Sequence, residues 1–299
     1  MLPNDRVKME ICMPRSRVTS HEGRRLRNRD VAKAADTATV AVNVPLLEEM
    51  DSLVRERLDL HAQLFEAAQI QRKLSGPRSM QCGSMEFASE VFAARYLSGD
   101  FAVLSQNGCK VLAVLGDIAG KGFAAGMWFT NLAGLLQSYA HPESAPAEIV
   151  NEINRHLCYL RPAAPFVTAF LAQIDCDSGE VAYSNAGHFP PILLRADGQT
   201  ELLEVGGPLL GAVDSAAYQS ARVNLESGDT LLAYSDGVLE CRNESGEEFG
   251  SVRLLTVLEQ VQQLTARNSL VALLAAVQDF ANGNPLSDDI SLTVIRRNA

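Results

Sequence analysis

No run of apolar residues in this 299-residue chain approaches the length of a membrane span. It does not open with the charged, apolar, then small pattern of a secretory leader. Six cysteines (Cys12, Cys82, Cys109, Cys158, Cys176, Cys241) are scattered without any C-x-x-C pair, which reads as reduced thiols in a cytoplasmic protein. Nucleotide loops are missing too. From Gly116 to Gly120 there are three intervening residues where a Walker-type loop needs four before its Gly-Lys, and Gly122 follows Lys121 where Ser or Thr would be required. The dinucleotide fingerprint G-x-G-x-x-G is absent. His188 has no second histidine at metal-ligand spacing, and no Cys or Ser stands in a convincing nucleophile motif.

Positive charge is also short in the body of the chain. The net charge is −10. Residues 1–37 hold nine Lys/Arg and five acids, which leaves −14 for the remainder. An acidic body argues against nucleic acid as a partner and suits a site that gathers carboxylates around cations.

What is present centres on Leu112–Gly122, L-A-V-L-G-D-I-A-G-K-G. A short apolar strand delivers Asp117 into a turn containing Gly116, Gly120 and Gly122, with Lys121 between the last two. Glycine lets backbone approach a ligand closely, so this is a way to build a phosphate or metal site. Four more acids share the context. Asp100 follows Ser98-Gly99, Asp236 follows L-L-A-Y-S and precedes Gly237, and Asp288 and Asp289 stand directly before I-S-L-T-V-I. Brought together, these carboxylates would make an all-oxygen pocket suited to Mg²⁺ or Mn²⁺. Two such ions can activate a water and clamp a phosphoryl group. His188, in N-A-G-H-F-P-P, reads equally as a residue fixing the turn into Pro190-Pro191 and as an acid–base group.

The chain is organised in three parts. Residues 1–43 form a basic arm without periodicity, expected to be disordered. Residues 44–76 form a linker helix, opened by Pro45 and ended by Gly76-Pro77. Its register 46, 50, 53, 57, 60, 64, 67, 71, 74 is apolar at seven of nine positions, with Arg57 and Gln71 as breaks. That pattern predicts a two-stranded coiled coil and a homodimer; the alternative is one amphipathic helix lying on its own domain. Residues 77–299 form the main domain. Strands there are linked by hairpins, Asp197-Gly198 being the clearest, and helices come in pairs over Phe123–Ala140 with Ala147–Leu160 and over Ser251–Gln262 with Leu270–Ala281. The expected class is α+β, with antiparallel sheets packed under helices.

Six segments in order then resemble a known family: A-A-Q-I-Q-R-K-L, A-R-Y-L-S-G-D-F, L-G-D-I-A-G-K-G, Y-S-N-A-G-H-F-P-P, L-L-A-Y-S-D-G-V-L-E and S-D-D-I-S-L-T-V. The family is that of the PPM-type metal-dependent protein serine/threonine phosphatases, in the bacterial SpoIIE/RsbU-like branch. The resemblance implies an α-β-β-α sandwich of two antiparallel sheets flanked by helix pairs, with a binuclear centre of two Mn²⁺ or Mg²⁺ ions at one end. Carried over by position, Asp117 would bridge both ions and the Ile118 carbonyl would bind the second. Asp100 would stand beside the centre, and Asp236 and Asp288 would complete the first site. Asp289 would support them or substitute for Asp288. Gly120, Lys121 and Gly122 would line the phosphate approach. Metal-bound hydroxide, not a side chain, attacks phosphorus in such enzymes. Asp117 and Asp236 are therefore the expected catalytic residues.

One departure is visible. Many relatives carry a further Asp after the aromatic pair that follows Gly-Gly-Asp, whereas this chain reads Ser98-Gly99-Asp100-Phe101-Ala102-Val103. The resemblance also implies a phosphoserine or phosphothreonine substrate on a small anti-sigma-factor antagonist. With no room for a folded sensor before residue 44, regulation is expected to act on the helix itself. The rival reading is a weak or inactive phosphatase-fold scaffold that holds a regulatory partner.

Overall fold

The computed structural model describes residues 44–94 and 96–298. The chain divides into two compact units, Met1–Leu53 and Val54–Ala299. In the first, only the opening turns of helix α1 (Val44–Leu74) are described, and the expectation for the arm 1–43 lies outside the described residues. The second unit holds every other element. After α1 come β1 (Ser79–Cys82), β2 (Met85–Phe92), β3 (Asp100–Asn107), β4 (Lys110–Ile118), α2 (Phe123–Tyr139) and α3 (Pro146–Tyr159). Next are β5 (Val167–Asp175), β6 (Glu180–Ala186), β7 (Ile192–Leu194), β8 (Thr200–Leu202), β9 (Gly206–Gly207), β10 (Ala221–Asn224) and β11 (Thr230–Tyr234). Then follow the one-turn helix α4 (Asp236–Leu239), α5 (Gly250–Gln260), α6 (Ala266–Ala281) and β12 (Ile290–Arg297).

Strand alternation builds the layers, because successive side chains point to opposite faces. One sheet runs β1-β2-β12-β11-β7-β8, the other β10-β6-β5-β4-β3, with β9 added on β6. All pairings are antiparallel except β6 with β9. Between the sheets lie Phe87, Leu104, Ala113, Leu115, Phe170, Leu231 and Ile295. The alternate residues Val114, Val167, Ala169 and Leu171 turn outward and bury against α2 and α3. On the other side Ile290, Leu292 and Val294 bury against α5 and α6. The result is the expected α-β-β-α sandwich with antiparallel sheets and flanking helix pairs.

Local signals explain the helix ends. Pro146 occupies the first turn of α3, where a missing N–H costs nothing, and the Glu148 carboxylate accepts from the Ala145 amide at 2.9 Å. Thr265 caps α6 by accepting from the Asn268 amide at 3.3 Å, and Asn282 ends it in the left-handed conformation.

Several boundaries differ from the sequence reading, and two of the differences matter for the site. Strand β4 continues to Ile118, so Asp117 lies inside the ladder and not beyond its end. Asp236 is not simply the last residue before a turn, for it opens helix α4. Strands β1 and β9, both short, were not anticipated. In α1, Met50, Leu53 and Leu60 are more than half exposed, whereas Leu64, Ala67 and Leu74 are half-buried.

Glycine placement gives a direct test of the packing. A Cβ on Gly116 would run into the Thr168 carbonyl and stand 2.6 Å from the Phe101 ring, while one on Gly134, in the exposed face of α2, would meet nothing. Gly116→Ala is expected to cost about 2–3 kcal/mol in denaturant unfolding, and Gly134→Ala to add up to about 1 kcal/mol. Equal effects of the two substitutions would contradict this packing.

Candidate active site

The antiparallel register of β3 and β4 places Asp100 directly opposite Asp117. Gly99 precedes the pair, and its carbonyl accepts from the Ile118 amide at 3.1 Å. A Cβ on Gly99 would stand 2.8 Å from the Gly120 carbonyl oxygen, 3.0 Å from that of Ile118 and 3.1 Å from Asp117 Oδ1. Three oxygens therefore crowd one face of a residue that has no side chain. Asp236 enters from the other sheet. Ahead of it, the Ser235 amide donates to the Ser291 carbonyl at 3.1 Å and the Ser291 amide donates to Ser235 Oγ at 3.0 Å, which ties the end of β11 to the start of β12. Gly237 packs so closely on the Asp289 carbonyl that any side chain there would collide with it.

Asp288 and Asp289 behave differently. Asp288 Oδ2 accepts from Lys121 Nζ at 2.9 Å, and Lys121 also reaches the Ser287 carbonyl at 3.3 Å. Asp289 is buried, and its carboxylate takes three short hydrogen bonds: from the Ala94 amide, the Ser98 hydroxyl and the Gly99 amide, each at 2.7 Å. It thus holds the loop that leads into Asp100. Gln71 of α1 grips the same loop. Its Nε2 donates to the Ser98 carbonyl at 2.9 Å, and its Oε1 accepts from the Ser98 amide at 3.4 Å. In the heptad register Gln71 is a break; in the segment A-A-Q-I-Q-R-K-L it is the residue that reaches this loop.

The acids sense one another. Burial pushes the Asp117 carboxyl up to about 6, with Asp236, Asp288 and Asp289 adding to the rise and Lys121 opposing it. Burial also raises Asp236, helped by Asp288 and opposed by the Gly237 amide and Lys121. Asp100 is raised well above the carboxylate range, first by burial and then by Asp117 and Asp289, against hydrogen bonding from Ser235 and Ser291. Its Oδ2 is buried without a hydrogen-bond partner.

Among the described residues, no three His, Cys, Asp or Glu side chains stand in a geometry that would hold a metal ion as they are. The contacts just given show where two of them point, Asp288 to Lys121 and Asp289 to its loop. The donor set nonetheless fits a hard divalent cation. It is all oxygen, it concentrates negative charge, it includes an orphaned carboxyl oxygen on Asp100, and Gly99 leaves space against the Ile118 carbonyl. Gly120 and Gly122 hold positive φ values of 118° and 74°, and no neighbour lies within 4 Å of where either Cβ would be, so their need is conformational and the space beside them is open.

His188 does not contact the acids. Its Nδ1 lies 2.9 Å from the Thr168 hydroxyl. Its amide donates to Asn185 Oδ1 at 2.8 Å, while Asn185 Nδ2 donates to the His188 carbonyl at 3.1 Å. The histidine and asparagine of N-A-G-H together fix the turn into Pro190-Pro191.

This fold is that of the PP2C-type phosphatases. The structure superposes on the SiaA-PP2C domain of Pseudomonas aeruginosa with a TM-score of 0.69 at 20% identity, covering 81% of this chain and 98% of that one. It superposes on the PP2C phosphatase domain, with a fragment of the regulatory domain, of SpoIIE from Bacillus subtilis with a TM-score of 0.62 at 20% identity, covering 74% and 64%. In sequence it is 26% identical over 254 residues to the phosphoserine phosphatase RsbU of Bacillus subtilis (strain 168), covering 84% of this chain and 74% of RsbU. The family model described as Stage II sporulation protein E (SpoIIE) matches residues 107–298, well over half of the chain, and the chain belongs to that family. It is a PPM-type protein serine/threonine phosphatase of the SpoIIE/RsbU-like branch. No helix among the described residues is long and apolar enough to cross a membrane.

His188 makes the pH dependence testable. Burial holds its imidazole down to about 4 from 6.5, with the Tyr234 backbone opposing. The unfolded chain binds this proton below 6.5 and the folded chain does not. The stability it confers is complete above pH 6.5 and falls by about 3 kcal/mol as the pH drops towards 4. In urea titrations, the gap between wild type and His188→Gln should therefore shrink by about 2.4 kcal/mol from pH 7 to 4.5. A gap that stays constant would contradict a neutral buried His188.

Proposed function

We propose that this phosphatase hydrolyses phosphoserine or phosphothreonine on a small regulatory protein of the anti-sigma-factor-antagonist kind. The observation that carries the reading is the Asp100–Asp117 pair, held opposite across β3 and β4 and coupled electrostatically to Asp236 and Asp288. Similarity to RsbU over most of both chains supports a phosphoprotein substrate.

In this reading Asp117, Asp236, Asp288, the Ile118 carbonyl and Asp100 hold two Mn²⁺ or Mg²⁺ ions. The ions supply Lewis acidity, an activated water and neutralisation of phosphoryl charge. The chain's own residues do the positioning. Asp117, inside the β3–β4 ladder, would be held in place for the ions by its strand. Asp289 fixes Ser98 and Gly99, and through them Asp100, so the direct contact falls to Asp288. The open turn Gly120-Lys121-Gly122 admits the phosphate, and Lys121, which bridges to Asp288, can meet its charge. The carboxyl of Asp117, raised by burial and then by its acidic neighbours, is a group whose charge a cation would stabilise.

Asp117→Asn and Asp236→Asn should each lower turnover of a phosphorylated antagonist by at least about a hundredfold with little change in unfolding temperature. EDTA should silence the wild type, and added Mn²⁺ or Mg²⁺ should restore it. Wild-type turnover by both variants, or turnover that EDTA leaves intact, would overturn the assignment.

The domain reading is proposed with it: a basic arm over 1–43, a helix over 44–76 that pairs with a second copy, and a phosphatase domain over 77–299. The exposed Leu53, Leu60 and Met50 support pairing. Light scattering should give a dimer mass for the full chain and a monomer mass for a chain beginning at Pro77, with altered activity. Monomer masses and equal activity for both would exclude regulation through the helix.

A further inference from the structure

Large apolar side chains stand exposed beside the acids, and the strand register explains their positions. The Ala119 amide donates to the Phe166 carbonyl at 2.8 Å, which carries the β4–β5 pairing one step beyond Ile118 and Val167. Thr168 stands opposite Asp117 in that ladder. Phe166, two residues before Thr168, therefore falls on the face that carries Asp117. It is 51% exposed, and the Arg161 guanidinium lies 5.8 Å from its ring centroid. Thr168 leads to a second ring. Its hydroxyl lies 2.9 Å from His188 Nδ1, and the next residue, Phe189, is 40% exposed. The Phe189 ring stands 6.3 Å from that of Tyr234, two residues before Asp236. On the side of the open turn, Phe123 follows Gly122 directly, and Met127 lies one helical turn further along the same face of α2. Both are more than half exposed, while Ala125, Phe129, Leu132 and Leu136 form the buried face of that helix.

Single exposed apolar residues are ordinary, but large ones gathered beside a reactive cleft mark a contact surface. Aromatic residues and methionine are enriched in such surfaces. Position commits the occupant. A protein that presents a phosphoryl group to the turn Gly120-Lys121-Gly122 must lay its neighbouring residues across these side chains. Acidic neighbours would meet the potential of the acid cluster and of a chain body that carries −14. We propose that Phe123, Met127, Phe166 and Phe189 are the docking surface for the phosphoprotein substrate, and that the residues it accepts on either side of the phosphorylated one are apolar. This rests on the reading of the acids as the phosphatase centre and adds the class of segment that reaches it.

Two synthetic heptapeptides serve as probes. Each carries at its centre a non-hydrolysable phosphonate analogue of phosphoserine; one is flanked by Leu and Val, the other by Ser and Gly. Binding to the full chain is read by calorimetry with Mg²⁺ present. The apolar peptide should bind at least about tenfold tighter than the polar one. Phe166→Ser and Phe189→Ser should each weaken the apolar peptide at least about fivefold and change the polar one less than about twofold. Should either fail to fold, Met127→Ser is read the same way. Val252→Ser, which removes an exposed apolar side chain from α5 against the other sheet, should change neither affinity. Equal affinity of the two peptides, no saturation by either at millimolar concentration, undiminished binding by the folded variants, or an equal loss in Val252→Ser would each overturn the proposal. Turnover of the matching phosphoserine peptides is followed separately. An apolar preference in binding without turnover would count against the phosphatase reading and support the docking surface.

Discussion

Two carboxylates set opposite each other in a β-ladder are the constraint on which this structure turns. Like charges directly across a strand pair destabilise it, yet Asp100 and Asp117 occupy such a pair at the buried end of β3 and β4. The fold accommodates them by surrounding them with groups that tolerate the charge. Ser235 and Ser291 face Asp100, Lys121 offsets the negative potential at Asp117, and the burial that remains uncompensated keeps both groups easily protonated. Burying like charges in this way costs stability, a cost that functional sites commonly carry.

The sandwich around it divides along its length. In most of the space between the sheets, inward positions carry Leu, Phe, Ala and Ile. Towards the acids, buried positions become Ser89, Thr293, Ser291 and Ser235, and Ser89 Oγ lies 2.8 Å from Thr293 Oγ1. The alternation that gives β12 an apolar helix-facing side therefore gives its other side a polar end. That gradient lets carboxylates sit among buried strands without breaking the core into separate pieces.

Much of this was legible beforehand, for physical reasons. Hairpin chemistry at Asp197-Gly198, the period-2 strands and the apolar helix Phe123–Tyr139 are local signals, and they led to the right architecture. The five acids were legible because each stands where an apolar run meets a turn. Their division of labour was not. Asp288 and Asp289 are adjacent and identical in sequence context, and only the tertiary fold shows one reaching Lys121 and the other taking three hydrogen bonds from the 94–99 loop. Asn185 likewise revealed its clamp on His188 only once the turn was formed. Gln71 was misread because a heptad pattern scores a polar residue as a defect, and its partner lies 27 residues away.

Gln71 also gives the helix a phase. It shares a heptad seam with Leu60 and Leu64, which lie nearer the N-terminus of α1, and its amide meets Ser98 at both of its polar atoms. An α-helix turns by about 100° per residue, so a rotation of one residue would carry that amide off the loop altogether. The Gln71 amide therefore fixes the angle at which α1 presents the exposed Leu60.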